Sequence, residues 1–419
     1  MKQRLECLDG LRGVLAFYVL LSHLVPFTAL PAWVAWPLSH GQAGVDMFFV
    51  LSGLVIVRSL EHYDYHARPF LIARATRIFP VFLPVFALAV AVQPVSIDFA
   101  SMPWIAPGSP ARMIWSDGWP GSWAADLLAH LTMVHGMFPN GVLPHVWVSF
   151  LGAAWSLSSE WQFYALVALI GARFGRGEGG RQRLVLLLLG LALAAAAWQQ
   201  MVPLDWRFSR AFLPNKAMYF ALGVSSAGLV EDLRRWPRFL AVLGAALVLV
   251  LCLREDNALT VLGPLGWVVC LAAQSAAERS GASWGGGSWA GGAWARGTWG
   301  GLRALGVLLR SASLRRLGAV SYCLYLVNEP IQKLLGVMLA QVAGGSSTMF
   351  TWLWVPTAVL IPLVAAWWLH CWIEVPMLRR GRVLAGSVLA RIQRRSQQSV
   401  AADLAGIMAP VLKPSVVLP

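Results

Sequence analysis

The stretch LDGLRGVLAFYVLLSHL, residues 8–24, joins a charged start to an apolar run long enough to enter a membrane. Asp9 and Arg12 lie at its beginning, and His23 lies within the apolar run. A charged residue at the centre of a span costs about 2.5 to 3.5 kcal/mol, so an ionisable ring there is a candidate functional residue. The stretch therefore predicts both a membrane helix and part of a site.

Arg12 and His23 are close to three helical turns apart, so both side chains project from the same helix face. A rise of about 1.5 Å per residue separates them by roughly 16 Å, about half of a bilayer core. We expect Arg12 at the cytoplasmic mouth of one track and His23 near the midplane. The same spacing also fits a helix-end arginine at the interface and a histidine hydrogen-bonded to a neighbouring helix.

The composition places the whole chain in a membrane. Of its 419 residues, 58% are hydrophobic and only 12% are charged, too few for the surface of a soluble domain of this length. The net charge of +14 does not indicate a nucleic-acid partner, because the basic residues lie between apolar segments. The five cysteines are widely spaced and form neither a disulfide framework nor a CxxC metal pair.

Ten apolar runs are long enough to span a bilayer, and they predict an all-α polytopic membrane protein with about ten transmembrane helices. Most of the 33 Lys and Arg residues fall on one side of these runs, which predicts cytoplasmic N- and C-termini. The first run is expected to stay as an anchor, since it has no clear cleavage site. The predicted spans are 12–31, 43–59, 78–95, 147–171, 184–202, 211–230, 239–254, 258–277, 317–342 and 351–373.

The segments between the spans predict the remaining organisation of a membrane domain over 1–380. The stretch 96–146 is expected to be an external loop, with an interfacial helix over 121–141. A Gly/Trp-rich cytoplasmic loop is predicted over 279–316, and a basic cytoplasmic tail that lies on anionic lipid over 381–419.

Two arginines, one helical turn apart, lie where the third span begins. Arg74 and Arg77 lie on one helix face, where two guanidiniums can hold a phosphate through bidentate hydrogen bonds. Ordinary positive-inside anchoring is the structural alternative for this pair.

The fourth span contains a carboxylate that its own helix does not neutralise. Glu160 and Tyr164 are four residues apart, and the carboxylate needs a partner from another helix, for which His23 or an arginine is the natural candidate. A carboxylate that orients a histidine is the usual support for a general base.

Other polar residues in the spans favour structural roles or a cavity. Asp46 is expected to cap the N-terminus of the second span, and Ser52 with Gly53 to allow a close helix crossing. In the ninth span, Tyr325 and Asn328 precede Pro330, which frees a backbone carbonyl, so polar groups there can line a cavity.

The sequence predicts neither a metal site nor an ATP-binding motif for driven transport. His62 and His66 are four residues apart but have no clear third ligand, and no Walker motif is present.

Together the motifs resemble those of acyltransferase family 3, the integral-membrane acyltransferases that esterify cell-surface glycans. The resemblance covers roughly residues 5–380, which makes 1–380 the expected acyltransferase domain. Six motifs occur in the family's order: LDGLRGVLAFYVLLSHL, GVDMFFVLSG, RATRIFP, WSLSSEWQFY, SYCLYLVNEPI and IEVPMLRR.

The resemblance implies that a cytoplasmic acyl-CoA, expected to be acetyl-CoA, donates an acyl group to a hydroxyl presented on the outer face; no bound cofactor is expected. Arg12, Arg74 and Arg77 would hold the CoA phosphates. His23 would deprotonate the acceptor hydroxyl, and Glu160 would position or charge-balance that histidine or an arginine.

The sequence departs from the family at Asn328, where relatives commonly carry a histidine. Asparagine can hydrogen-bond an acceptor hydroxyl or a carbonyl but cannot act as a base near neutral pH. His23 is then the one motif histidine left for the chemistry.

The leading hypothesis is therefore an O-acetyltransferase of the bacterial inner membrane that acts on an exopolysaccharide, lipopolysaccharide or similar glycan, beside the glycan-assembly machinery. Two alternatives stay open: a family member that acylates a small molecule or lipid-linked sugar, and a transporter or flippase without acyl transfer. The external loop offers aromatic rings for stacking on sugars, although tryptophan at a membrane interface needs no such explanation: Trp104, Trp115, Trp119 and Trp123.

Overall fold

The computed structural model describes residues 6–408 apart from 96–97, 110, 113–114, 116–117, 172, 254–257 and 280–292. The described residues are mostly helical, with an isolated β-bridge between Pro139 and Phe208. The first half contains α1 (Glu6–Leu24), α2 (Ala32–Leu38), α3 (Gly41–His62), α4 (Ala67–Val92), α5 (Trp123–Leu131), α6 (Ala154–Ile170) and α7 (Gly177–Met201). The second half contains α8 (Leu213–Glu231), α9 (Trp236–Leu253), α10 (Leu262–Arg279), α11 (Ala293–Leu309), α12 (Ala312–Ala343), α13 (Ser347–Leu369) and α14 (Val375–Met408).

Each of the ten predicted spans contains a helix, although fewer of these helices meet a strict criterion for crossing a membrane. Six segments in the described part of the chain are long and apolar enough to cross: Glu6–Phe27, Ala32–His62, Ala67–Val92, Gly177–Met201, Leu233–Leu253 and Ser347–Ser399. Helix α8 is not among them, but most of its side chains are buried by other helices. A helix surrounded by protein can carry polar residues that a lipid-facing helix cannot.

Helix α1 ends earlier than predicted. The first span was expected to run to residue 31, but α1 gives way after Leu24 to a 3₁₀ turn, Val25–Phe27, that has Pro26 near its start. Proline cannot supply a backbone N–H to continue the α-helix. His23 consequently lies in the last turn of α1 and not in the middle of a long helix.

Glycines let the central helices touch backbone to backbone. A Cβ on Gly13 of α1 would lie 2.7 Å from the backbone nitrogen of Gly318 on α12, and a Cβ on Gly318 would overlap the carbonyl of Asp9. Helices α3 and α8 cross in the same way, because Gly53 faces the backbone of Phe220. The predicted close crossing at Gly53 is thus present in the fold.

Ion pairs tie together one end of α3, α7, α8 and α9. Arg181 contacts Glu231 at 2.6 Å and Glu61 at 3.4 Å, and Arg235 contacts Glu178 at 2.6 Å. Each arginine thereby connects helices that are distant in the chain. Charges that share partners in a network hold their geometry better than isolated surface pairs.

Two segments predicted as a cytoplasmic loop and as a tail with a short basic helix both contain helices. Within 279–316, predicted as a Gly/Trp-rich loop, α11 occupies Ala293–Leu309 and packs against α10 and α1; residues 280–292 lie outside the described part. Within the predicted tail 381–419, α14 continues to Met408, and 409–419 lie outside the described part.

The described residues of 96–146, predicted as an external loop, fold against the helices. Its helix α5 is shorter than the interfacial helix predicted over 121–141 and is followed by a 3₁₀ turn, His135–Met137. Two of its tryptophans are engaged by protein: Trp115 is buried and stacks on Phe27, and Trp104 donates to the Phe27 carbonyl at 3.1 Å. Trp119 and Trp123 are exposed. Of the four tryptophans considered for stacking on sugars, these two have rings accessible to a ligand.

Two stacked imidazole rings are buried inside this folded stretch. The rings of His130 and His135 lie 4.1 Å apart, both fully buried, and His130 Nδ1 lies 2.8 Å from the Asp126 carbonyl. Burial lowers the pKa of His130 to about 4 and that of His135 well below the ordinary 6.5, because a charged ring loses its hydration there.

The buried pair predicts that the protein loses stability in mild acid. Both rings stay neutral in the folded chain while unfolded histidine takes up a proton below about pH 6.5, so the free energy of unfolding falls as the pH drops from about 6.5 toward 4. We expect His130 alone to cost about 2 kcal/mol between pH 7 and pH 5.

Melting temperatures of the purified protein across this pH range measure the effect. A double variant, His130→Phe with His135→Phe, should show a flatter profile, whereas the control His66→Phe, at a partly exposed ring, should keep the wild-type slope. An unchanged slope in the double variant would contradict the assignment.

Candidate active site

Helices α1, α3, α4, α6 and α12 enclose a cavity of about 120 Å³. Polar side chains from all five helices face it, so residues far apart in the chain share one chamber. The polar lining residues are Arg12, Ser52, Arg74, Arg77, Ser156, Glu160, Tyr164, Ser321, Tyr322 and Tyr325. Most of the residues singled out in the sequence therefore meet here, whereas His23, Asn328 and Asp46 do not line the chamber.

Hydroxyl groups hold the carboxylate of Glu160. Ser52 on α3 donates to Oε1 at 2.7 Å, and Tyr164, one turn along α6, donates to the same oxygen. Ser52 thus has a polar role beyond the helix crossing expected for it. Within the described part of the chain Glu160 forms no hydrogen bond with His23. The other partner expected from the sequence, an arginine, is present in the chamber as Arg12, Arg74 and Arg77.

Arg12 and Arg74 bring positive charge into the chamber. The buried Nε atom of each guanidinium has no hydrogen-bond partner among the described residues. Arg74 lies over the ring of Tyr164, with 6.0 Å from Cζ to the ring centroid. Buried cations are costly unless a counter-charge meets them, so this geometry favours an anionic ligand.

Arg77 has a different environment from Arg74, although the two share a helix face. Its guanidinium forms an ion pair with Glu374, which is almost fully buried, and lies 5.1 Å from the ring centroid of Tyr322. The other carboxylate oxygen of Glu374 is 2.7 Å from His370 Nδ1 and accepts from Cys323 at 3.3 Å. Glu374 therefore fixes Arg77 at the edge of the chamber.

A π-helix, His370–Glu374, carries two members of this cluster. Such turns are rare and occur frequently at functional sites. The ligand-type atoms of Cys323, His370 and Glu374 lie within 4.8 Å of one another, which would suit a metal ion. Because the carboxylate already binds a guanidinium, we assign the cluster to holding Arg77.

His23 is paired with Asn328 beyond one wall of the chamber. His23 Nδ1 lies 2.8 Å from Asn328 Oδ1, and the Asn328 amide nitrogen donates to the carbonyls of Leu324 and Tyr325 at 3.0 and 2.7 Å. These two donations identify Oδ1 as the acceptor, so Nδ1 must carry the proton. The Nε2 lone pair of His23 is then available as a base.

Tyr325 connects this pair to the chamber, because its carbonyl accepts from Asn328 and its side chain lines the cavity. Its hydroxyl is 2.8 Å from the Ser156 hydroxyl, and both residues line the cavity. Asn328 follows Tyr325 by one turn of α12. His23 thus lies one helical turn beyond the wall that Tyr325 and Ser156 form.

Asp46 is not the helix cap predicted from the sequence. Helix α3 begins at Gly41, so Asp46 lies in its second turn, fully buried. Its Oδ1 atom is 3.5 Å from Lys216 Nζ and accepts from Gln42 at 3.0 Å. Asp46 compensates a buried lysine between α3 and α8, which is a structural role.

Glu329, next to Asn328, caps another helix of the site. Its two oxygens accept from the backbone nitrogens of Gly152 and Ala153 at 3.0 and 2.9 Å, just before α6 begins. A carboxylate at a helix N-terminus satisfies free N–H groups and favours the helix dipole. Glu329 therefore positions the helix that carries Glu160.

Sequence analysis had not assigned roles to Glu374, Tyr322 or Ser156. The signal for Glu374 was present, because a carboxylate at the end of an apolar run requires a partner. Tyr322 and Ser156 offered no comparable signal, since hydroxyl groups are common in membrane helices.

The comparisons with known proteins identify the family of the chain. The chain matches the acyltransferase domain of acyltransferase family 3 over residues 5–371, which is most of its length. No curated protein and no solved structure matches it. The chain belongs to acyltransferase family 3 and is a membrane acyltransferase.

The Glu374 contact predicts a specific stability loss. Glu374→Gln would leave the buried Arg77 guanidinium without its counter-charge, and we expect the free energy of unfolding to fall by about 3 kcal/mol. Thermal unfolding in detergent measures this. The double variant Glu374→Gln with Arg77→Gln should recover part of the loss, and Cys371→Ala, at an exposed neighbour, should have no effect. Equal losses in the single and double variants would contradict the pairing.

Proposed function

We propose that this protein transfers an acyl group, expected to be acetyl, from cytoplasmic acyl-CoA to a hydroxyl of an extracytoplasmic glycan in the bacterial inner membrane. The general base is Nε2 of His23. The observation that carries the proposal is the His23–Asn328 hydrogen bond, because it leaves an unprotonated ring nitrogen near one end of α1.

The reaction follows from this protonation state. The acceptor hydroxyl oxygen attacks the thioester carbonyl carbon while its proton moves to His23 Nε2. The C–S bond then breaks, and the departing thiolate takes the proton back from Nε2. The products are an O-acyl ester and the free thiol of CoA, and the histidine returns to its starting form.

The arginines suit the donor. Arg12 and Arg74 have unpartnered Nε atoms at the chamber, and Arg77 is held beside them by Glu374. Guanidiniums bind phosphates through paired, charge-assisted hydrogen bonds. Eleven residues of α1, about 16 Å at 1.5 Å per residue, separate Arg12 from His23. The flexible pantetheine arm of CoA can extend across such a distance, past Tyr325, to bring the thioester to the histidine.

Asn328 has a different role from the histidine that relatives commonly carry at this position. Asn328 cannot remove a proton, but its amide oxygen accepts the Nδ1 proton and holds the imidazole in one orientation. Asn328 is thus a positioning residue, and His23 alone performs the proton transfer.

Loss of acylation in site variants tests the proposal. In a bacterial strain from which the gene is deleted, wild-type protein should restore ester groups on the surface glycan, as measured by mass spectrometry. His23→Gln and Arg12→Gln should insert at normal levels but restore less than about 1% of the esters, since each removes a group needed for transfer. Normal ester levels in His23→Gln would overturn the proposal, and unchanged glycan with an esterified small molecule would redirect the acceptor.

The role of Asn328 predicts a kinetic signature. Asn328→Leu keeps the size of the side chain but removes the acceptor for the Nδ1 proton. We expect a 10- to 100-fold lower kcat with an unchanged KM for acetyl-CoA, the usual loss when an orienting partner of a histidine is removed.

Asn328→Asp keeps an acceptor at the same position and should retain more activity than Asn328→Leu near neutral pH. The control Gln341→Leu, at an exposed position of α12, should behave as wild type. Equal activity of Asn328→Leu and wild type would show that the hydrogen bond does not orient the base.

A further inference from the structure

A second, more open space lies where α1 and α12 begin. It is a cleft of about 510 Å³, and small residues of α12, namely Ala312, Gly318 and Ala319, leave room on one wall. Its charged lining residues are Asp9, Arg12, Arg77, Arg315 and Arg316. Four of these five side chains are cationic, so the cleft favours an anion with more than one negative charge.

The cleft and the chamber share two residues. Arg12 and Arg77 line both, so the two spaces adjoin at these two arginines. Spaces that bind small molecules commonly measure about 300 to 1,000 Å³. The cleft lies in this range, whereas the chamber of about 120 Å³ can hold only a narrow portion of a ligand.

Arg315 and Arg316 extend the positive charge away from the chamber. Arg316 is exposed, whereas Arg315 has a buried Nε atom with no hydrogen-bond partner among the described residues. Arg315 also lies 3.5 Å from Glu6, which is itself largely exposed. A partly exposed pair of this kind is weak, so the carboxylate can give way to a phosphate.

We propose that this cleft binds the nucleotide end of the donor, with Arg315 and Arg316 on its phosphate groups, while the pantetheine arm extends through the chamber toward His23. The inference rests on the proposed use of acyl-CoA and deepens it, because it divides the donor between two spaces. A nucleotide with several phosphates supplies the charge and the size that the cleft favours. Arg315 and Arg316 thereby become specificity-determining residues for the nucleotide part of the donor.

The proposal predicts that the two arginines distinguish a full donor from a truncated one. Inside-out membrane vesicles would be prepared from the deletion strain carrying each variant, and the transfer of labelled acetyl groups to the envelope measured. Acetyl-CoA would be compared with acetyl-pantetheine, which has the same thioester but no nucleotide. In Arg315→Gln with Arg316→Gln, the KM for acetyl-CoA should rise about tenfold or more with kcat unchanged, the size expected when charge-assisted phosphate contacts are lost.

The truncated donor supplies the internal control. The KM for acetyl-pantetheine should be the same in the double variant and the wild type, since this donor has no phosphate for the cleft. A matched variant, Arg394→Gln with Arg395→Gln, removes an adjacent pair of exposed arginines from α14 and should change neither KM. Equal rises for both donors, or no rise for acetyl-CoA, would overturn the proposal.

Inhibition by a nucleotide fragment of CoA tests whether the cleft binds a nucleotide or a lipid headgroup. It also separates failure of this inference from failure of the proposed function. Adenosine 3′,5′-bisphosphate should inhibit the wild type with acetyl-CoA and inhibit the double variant at least tenfold more weakly. If both inhibit equally, the arginines bind some other anion, such as a lipid phosphate, and the proposal is wrong. If the wild type uses neither donor, the proposed function fails, and direct binding of labelled adenosine 3′,5′-bisphosphate to both proteins then decides on the cleft alone.

Discussion

Helices α1 and α12 touch backbone to backbone because Gly13 and Gly318 occupy the two sides of their crossing. This contact brings two polar pairs together at different levels of the bundle. Near the start of the two helices, Arg12 of α1 and Arg316 of α12 both line the cleft. Near the end of α1, His23 forms a hydrogen bond with Asn328 of α12. Any larger side chain at the crossing would separate the helices and therefore change both levels at once.

Buried cationic groups in this protein fall into two classes: those paired with a carboxylate, and those with a nitrogen that has no hydrogen-bond partner among the described residues. Lys216 with Asp46 and Arg77 with Glu374 are satisfied within the chain. At Arg12 and Arg74, in contrast, the chain leaves guanidinium nitrogens without partners beside an enclosed space. A bound ligand that accepts hydrogen bonds would satisfy these two Nε atoms.

Hydropathy and charge were sufficient to predict the helical class and a helix at each of the ten spans. They did not single out Ser156, Ser321 or Tyr322, which also line the chamber. They could not predict the contacts that define roles, because His23 and Asn328 are 305 residues apart and Arg77 and Glu374 are 297 apart. Local signals also misplaced the end of α1, since Pro26 ends this helix earlier than the apolar run suggests. Asp46 was misassigned for a similar reason: its partner Lys216 lies on another helix.

The π-helix at His370–Glu374 joins α13 to α14 without a break, so these elements form one continuous rod. A π turn accommodates more residues per turn than an α turn, which offsets the angular phase of everything that follows. Removing one residue there would rotate α14 by about 100° relative to α13, given 3.6 residues per turn. Gly381, whose missing side chain leaves room for Thr76 of α4, would then face elsewhere. The rotational setting of this junction therefore governs how the C-terminal rod docks on the helix that carries Arg74 and Arg77.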